Sequence, residues 1–214
     1  NLTTLVIRRG EEVNRKGPES PGLKEIGKQA FYENNLVNLE IPESVEIIGD
    51  WAFGNNELTS VLIPDSIRKM GKGVFYNNNL TSVKVPSVEV IREGLFVKND
   101  LITAEIAVGV KEIEKDAFRK NQLTSVELPD GLEVVGQAAF YENNLTSVVI
   151  PTSVRSLDGW AFDANDLTSV EIGARADIVS SSIDENFERV YRANNRAAGV
   201  YVRRSVNSSW RRRR

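Results

Sequence analysis

The sequence predicts an α/β solenoid, a curved array of about eight 22-residue repeats with a parallel sheet on one face and short helical turns on the other. Three observations carry that reading. Leucines head similar segments at Leu2, Leu36, Leu58, Leu80, Leu101, Leu123, Leu145 and Leu167, at intervals of 34, 22, 22, 21, 22, 22 and 22 residues. Seven of the eight phenylalanines (Phe31, Phe53, Phe75, Phe96, Phe118, Phe140 and Phe162) fall in one column of the unit. Three residues after each stands an asparagine: Asn34, Asn56, Asn78, Asn99, Asn121, Asn143 and Asn165. A unit this short cannot bury an apolar face alone, so it must stack on its neighbours.

The unit from Leu123 to Asn144 reads LTSVELPDGLEVVGQAAFYENN and shows what each part does. Val126 and Leu128 alternate with Ser125 and Glu127, the period-two pattern of a half-buried strand, and Pro129 ends it. Strands of successive copies should pair in parallel, giving a sheet about 34 Å long over eight rungs at roughly 4.8 Å each. From Val134 to Phe140 the apolar residues recur at three- and four-residue spacing, which predicts a short helical turn on the opposite face. The Phe column then stacks as a buried spine. The Asn column precedes each strand, where an amide can satisfy turn backbone groups and bond to the same amide one rung away. Both columns read as a structural ladder rather than a ligand site. The sequon-like NLT at Asn1, Asn79 and Asn144 follows from the same repeat and carries no separate meaning.

The breaks in the pattern set the domain organisation. Residues 1–172 form the array, and its first interval is twelve residues too long, which marks residues 8–19 (RRGEEVNRKGPE) as an insertion projecting from one edge. Long surface insertions are tolerated at little cost, so a plain loop is the simpler reading and a second contact the alternative. One unit is a residue short at Val85–Val88, and the next has Ala107 for Pro and Glu114 for Gly, which predicts a local bend. Gly27, Gly49, Gly71 and Gly136 suggest a tight backbone position, but Arg92, Glu114 and Asp158 share the column, so it has no strict need of positive φ. Residues 173–210 form a C-terminal capping region, with Val190-Tyr191 and Gly199–Val202 as expected strands about an Asn194-Asn195 turn. Residues 211–214 are a basic tail, read as a frayed end.

Composition narrows function by exclusion. Of 214 residues, 41% are hydrophobic and 27% charged, which excludes a disordered or collagenous chain. No run approaches eighteen apolar residues, and the sequence opens without a basic-then-apolar leader. His and Cys are both zero, which removes the common catalytic triads, the usual zinc sites and disulfide chemistry. The reading therefore calls for no catalytic residue, no cofactor and no metal. Charge is uneven: residues 175–214 hold ten Arg against Asp177, Asp184, Glu185 and Glu188, a local +6, so residues 1–174 carry −9 of the total −3. Arg211–Arg214 could meet phosphates, but no aromatic platform accompanies them, which argues against nucleic acid.

With these columns in hand, the chain resembles the BspA-like leucine-rich repeats, whose unit runs approximately LxxLxLPxxLxxIGxxAFxxN. The resemblance spans Leu2 to Ile172 and is carried by Leu58, Val61, Ile63, Pro64, Ile67, Met70, Gly71, Phe75 and Asn78 in one unit, and by their equivalents from Leu145 to Asn165. The tail from Phe187 through Tyr191, Asn194, Ala198, Gly199 and Tyr201 to Trp210 resembles the ending of spirochaete members. The resemblance implies a leucine-rich repeat array and a bacterial cell-surface or secreted protein that adheres to host, matrix or bacterial partners.

The outward column of the strand face is the candidate binding surface, and it reads Glu40, Leu62, Lys84, Glu105, Glu127, Val149 and Glu171. Its variation in size and charge is what a recognition surface shows, and equally what an unconstrained solvated face shows. Glu43, Asp65 and Asp130 add negative charge beside it, so a basic or amphipathic protein patch is the natural complement. Trp51 and Trp160 share a column two residues before Phe with Gln29, Gly73, Gly94, Asp116 and Ala138; the mixture implies exposure, and local packing is the simpler account of the aromatics. The expectation is a non-enzymatic adhesion or protein-interaction module with no small-molecule substrate. A structural spacer within a longer surface protein is the alternative. A carboxylate-pair glycoside hydrolase on Glu105 and Glu127, roughly 5 Å apart on adjacent rungs, is a third and weaker reading, because an open surface lacks the pocket that raises one pKa.

Overall fold

The computed structural model describes residues 3–6, 22–174, 176–178 and 182–213. Most turns of the solenoid contribute two short strands, and these form parallel ladders on two faces. On the strand face Thr4–Val6 pairs with Asn38–Glu40, and Glu40 is bridged to Leu62. Further along, Ser82–Val85 pairs with Thr103–Ile106 and Ser147–Ile150 with Ser169–Ile172. The segment Leu123–Pro129 holds no strand. The continuous eight-rung sheet expected from the sequence is therefore divided into shorter pairings. Where strands form, the burial alternates as predicted: Ser82 and Lys84 face out while Val83 and Val85 face in.

The turn face carries less helix than the sequence spacing predicts. Two-residue strands stack there instead, Glu25–Ile26, Ile47–Ile48 and Lys69–Met70 in one run, then Val90–Ile91, Glu112–Ile113, Val134–Val135, Ser156–Leu157 and Asp177–Ile178 in a second. The division between runs falls at the 21-residue unit, where the missing residue shifts the register. The residues that follow each strand form a tight turn in which two positions, four residues apart, are left-handed. The residue two before Phe has φ between 54° and 64° (Trp51 59°, Gly73 59°, Gly94 64°, Ala138 54°), and the residue two after Phe is left-handed as well (Asn55 53°, Lys120 57°). Within this turn every second N–H points along the solenoid axis. Phe53 N–H thus donates to Val74 O at 3.0 Å and Phe118 N–H to Ala139 O at 2.8 Å, one rung on, while Gly54 N–H closes a local three-residue turn onto Trp51 O. Helix needs those N–H groups within the turn, and here the next rung takes half of them.

The core is a stack rather than a centre. The Phe rings lie nearly parallel with centroids 5.0–5.8 Å apart from Phe31 to Phe162, and all but Phe31 are fully buried. The Leu column is equally buried from Leu36 to Leu167. At Gly49, Gly71 and Gly136 the Gly column serves close approach, not positive φ: a Cβ on Gly71 would fall 2.4 Å from the backbone N of Asp50 on the preceding rung, whereas Gly27 has open space.

After the last rung the chain turns back on itself. Glu185–Ala193 is an α-helix, where the sequence reading placed a strand at Val190-Tyr191. Asp184 caps it by accepting from Phe187 N–H at 2.6 Å, and Phe187 and Tyr191, one turn apart, bury the same face. Gly199–Val202 runs antiparallel to Ser169–Ile172, and Arg211–Arg212 adds outside it, so these arginines form an edge strand instead of a frayed end. Asp184 also accepts from Trp210 Nε1 and Arg203 Nη1, each at 2.8 Å, and so ties helix, strand and loop together. The expected insertion at residues 8–19 lies outside the described residues.

Candidate functional site

All seven residues of the predicted strip, Glu40, Leu62, Lys84, Glu105, Glu127, Val149 and Glu171, are exposed. Ladder register sets several of them side by side: Glu40 opposite Leu62, Lys84 opposite Glu105, and Val149 opposite Glu171. The apolar members are bare, Leu62 at 75% and Val149 at 57% of full exposure. Beside the strip runs a row of small hydroxyls, Ser82, Thr103, Ser125 and Ser147, that leaves it open to approach. The strip does not stop at Glu171. Val200 of the antiparallel strand lies opposite it and extends the surface, a contribution hidden in sequence because Val200 sits outside the repeat.

Between the rungs at Thr103–Ile106 and Ser125–Glu127, where ladder pairing lapses, the strand face opens into a groove of about 440 Å³ that includes Lys84, Glu105 and Glu127. Lys84 Nζ stands 3.8 Å from Glu105 Oε1 across the rungs. Both side chains are more than half exposed, so the pair contributes little to stability and leaves each group able to trade partners. Glu105 thus faces a lysine as its ionic neighbour, whereas a carboxylate dyad needs a sheltered like-charge pair. Among the described residues no group of three or more acidic side chains could hold a metal ion.

The Asn column does a different task from the amide-to-amide ladder expected. Each Asn from Asn56 to Asn165 accepts from the Leu N–H of the preceding rung, and its amide donates to two Phe carbonyls, one on its own rung and one on the rung before. For Asn121 these are Leu101 N at 3.1 Å, Phe118 O at 3.0 Å and Phe96 O at 2.9 Å. Neighbouring Asn side chains share no hydrogen bond among the described residues. The amide ties backbone to backbone, and burial makes the arrangement hard to replace. Asn34, at the first turn, makes only a local bond to Tyr32 O.

The Trp column divides. Trp51 is half-buried, with Tyr32 and Tyr76 edge-on at 6.4 and 5.2 Å, which is the local packing expected. Trp160 is 47% exposed and makes no ring contact among the described residues.

Two stacked strand ladders, a Phe spine and buried Asn tethers define a leucine-rich repeat solenoid, a class that presents an extended strand face. Residues 24–133 and 89–190 match the family described as BspA type leucine rich repeat region, in six copies, and the chain belongs to that family. Among solved structures it is similar to the pneumococcal vaccine antigen PcpA, with 22% identity and a TM-score of 0.50 over 76% of this chain and 54% of that one. It is also similar to a leucine rich cell surface protein of Faecalibacterium prausnitzii A2-165, with 18% identity and a TM-score of 0.47 over 82% of this chain and 64% of that one. The chain therefore spans less than two thirds of either structure, and the likeness to the first is one of fold. No curated protein matches.

Proposed function

We propose that this protein is a non-enzymatic interaction module, displayed at the bacterial surface or secreted, that binds a protein partner through its strand face. The observation that supports this most is the groove at Lys84, Glu105 and Glu127, which lies in the middle of the exposed strip. Four Glu against one Lys give the strip a net charge of −3, with Leu62 and Val149 as bare apolar points at either side of the groove. That pattern fits a basic or amphipathic patch on a protein partner. Family membership supports display outside the cell, and no helix among the described residues is long and apolar enough to cross a membrane.

The test is a combined variant, Glu40→Gln, Lys84→Gln, Glu105→Gln and Glu127→Gln, compared with wild type by surface plasmon resonance on purified extracellular-matrix proteins and by binding to host and bacterial cells. Loss of at least about tenfold in affinity for a partner that wild type binds is expected, since central groove residues dominate such interfaces. If circular dichroism is unchanged and every interaction persists, the strand face is not the binding surface.

A further inference from the structure

We propose that the turn face holds a second, independent binding trough, between Trp51 and Trp160, for an acidic polysaccharide. The trough is built by the left-handed column. Trp51 and Trp160 stand five rungs apart on it, about 24 Å at roughly 4.8 Å per rung, and the positions between are Gly73, Gly94, Asp116 and Ala138. Gly73 lies beneath the Trp51 ring, and Gly94, Asp116 and Ala138 line the space between the two indoles. One cavity of about 530 Å³ opens from Trp51, another of about 300 Å³ reaches Trp160, and Asp116 and Arg119 line both.

Trp160 is the outlier that first points to a ligand. Its φ of 60° is one that bulky residues adopt at a cost in steric strain, and Gly73 and Gly94 show that glycine satisfies the same position. Trp51 has its strain offset by packing: two tyrosines flank it and its ring covers Gly73. Trp160 has no such return, since nearly half its surface is open and no other ring touches it among the described residues. The hand is common to the whole column, so it is the open, unstacked indole at Trp160 that marks a binding surface. A flat, half-exposed indole is the surface on which the C–H face of a sugar ring stacks.

Charge selects among sugars. Lys72, Lys98, Lys115, Arg119 and Lys120 line the two cavities against Glu93 and Asp116, a net +3 on an array whose first 174 residues carry −9. Lys98 lies over the Tyr76 ring at 5.5 Å and has no carboxylate partner among the described residues. Arg119 lies against Tyr141 at 5.4 Å, and its Nε is buried without a hydrogen bond among the described residues. Asp116 stands 3.6 Å from Arg119 and 4.0 Å from Lys115, and burial pushes its carboxyl above the usual pKa against the pull of both. An extended peptide is a poorer occupant. The turn N–H groups already bond either to the next rung or within the turn, so they offer no free backbone edge for strand addition, and side chains make the contacts. A polyphosphate chain is a poorer occupant because it has no C–H ring face to stack on the Trp160 indole.

The full chain would be titrated with oligogalacturonate and with heparin-derived oligosaccharide, using neutral dextran and a single-stranded DNA oligomer as controls, and read by tryptophan fluorescence and calorimetry. Trp210 is buried, so the signal reports on the trough. Saturable binding of an acidic glycan, weaker by at least about tenfold in Trp160→Gly and weaker with a shallower salt dependence in Lys98→Gln/Lys120→Gln, is the expected result. Glycine is at home at this φ, so the first variant keeps the fold. Absence of binding to either acidic glycan, equal binding to dextran, equal binding to DNA, or unchanged affinity in both variants would overturn the proposal. The strand-face variant should bind glycan as wild type does, which separates this site from the one proposed above.

Discussion

The interior of the array and its C-terminal end achieve burial in opposite ways. In the array, one residue type repeated along an axis does the work: Phe on Phe at 5.0–5.8 Å and Asn on two carbonyls, rung after rung. At the end, unlike residues converge on one point. Phe187 meets Tyr191, Tyr201 and Trp210, and Asp184 gathers the helix N-terminus, Arg203 and Trp210. The difference has a mechanical consequence. A stack is coupled only to its nearest neighbours, so a lesion inside it divides the array, whereas a lesion at the end can only unravel from there.

The strongest way to break that contrast is to remove a ring in mid-stack. Phe118→Ala should destabilise by about 3–5 kcal/mol, the range for a large buried aromatic, because Phe96 and Phe140 are held apart by inter-rung hydrogen bonds and cannot close the gap. Hydrogen exchange should show protection falling on both sides of the lesion, and denaturation should become two-stepped. A single transition with unchanged cooperativity would mean that the array folds as one body and that nearest-neighbour coupling is not what limits it.

Asp184→Ala is the matching lesion at the end, with an expected loss of about 3 kcal/mol from a helix cap, an indole bond and the partner of a nearly buried arginine. Arg203 also donates to Leu167 O, so it is not wholly stranded, and this moderates the effect. Exchange should rise from residue 167 onward and stay slow from Leu36 to Asn143. Loss of protection at Phe53 or Phe75 would show that the C-terminal segment supports the whole array.

These same two regions explain how far the sequence could be read. The Phe and Asn columns were legible because stacking demands identical residues at one spacing, and the strand strip because outward residues alternate with buried ones. The left-handed turn positions were not, since Gln29, Trp51, Asp116 and Ala138 share no chemistry. Their backbone is imposed by hydrogen bonds to the next rung, which a single unit does not display. Likewise the groove at Glu127 follows from a lapse in pairing that LTSVELP does not announce. The helix at Glu185–Ala193 did leave a signal that was outweighed by its aromatic, β-branched content: Asp184 as cap, Glu185 and Glu188 in the first turn, Arg192 in the last, and Phe187 and Tyr191 four apart. Convergent packing has no period to find.

The smallest predicted effect lies where the two regions meet. Burial raises the pKa of Asp163 on the last Phe-bearing rung; the Ala164 N–H opposes the shift, and the charges of Asp184 and Glu185 reinforce it. A native pKa above the unfolded one means that the folded state holds its proton more tightly. Stability from this group is therefore complete at pH below the ordinary carboxylate range and is lost as pH rises through the raised native value. Asp163→Asn should then stabilise the protein at pH 7 by a few tenths of a kcal/mol, since the group is partly exposed and solvent screens it. At pH 3 the gain should vanish. Urea midpoints of wild type and variant at both pH values measure this, and an equal difference at the two would show that the carboxylate charge carries no penalty at the junction. In the Asp184→Ala background the gain at pH 7 should shrink, because one of the charges that oppose ionisation is gone.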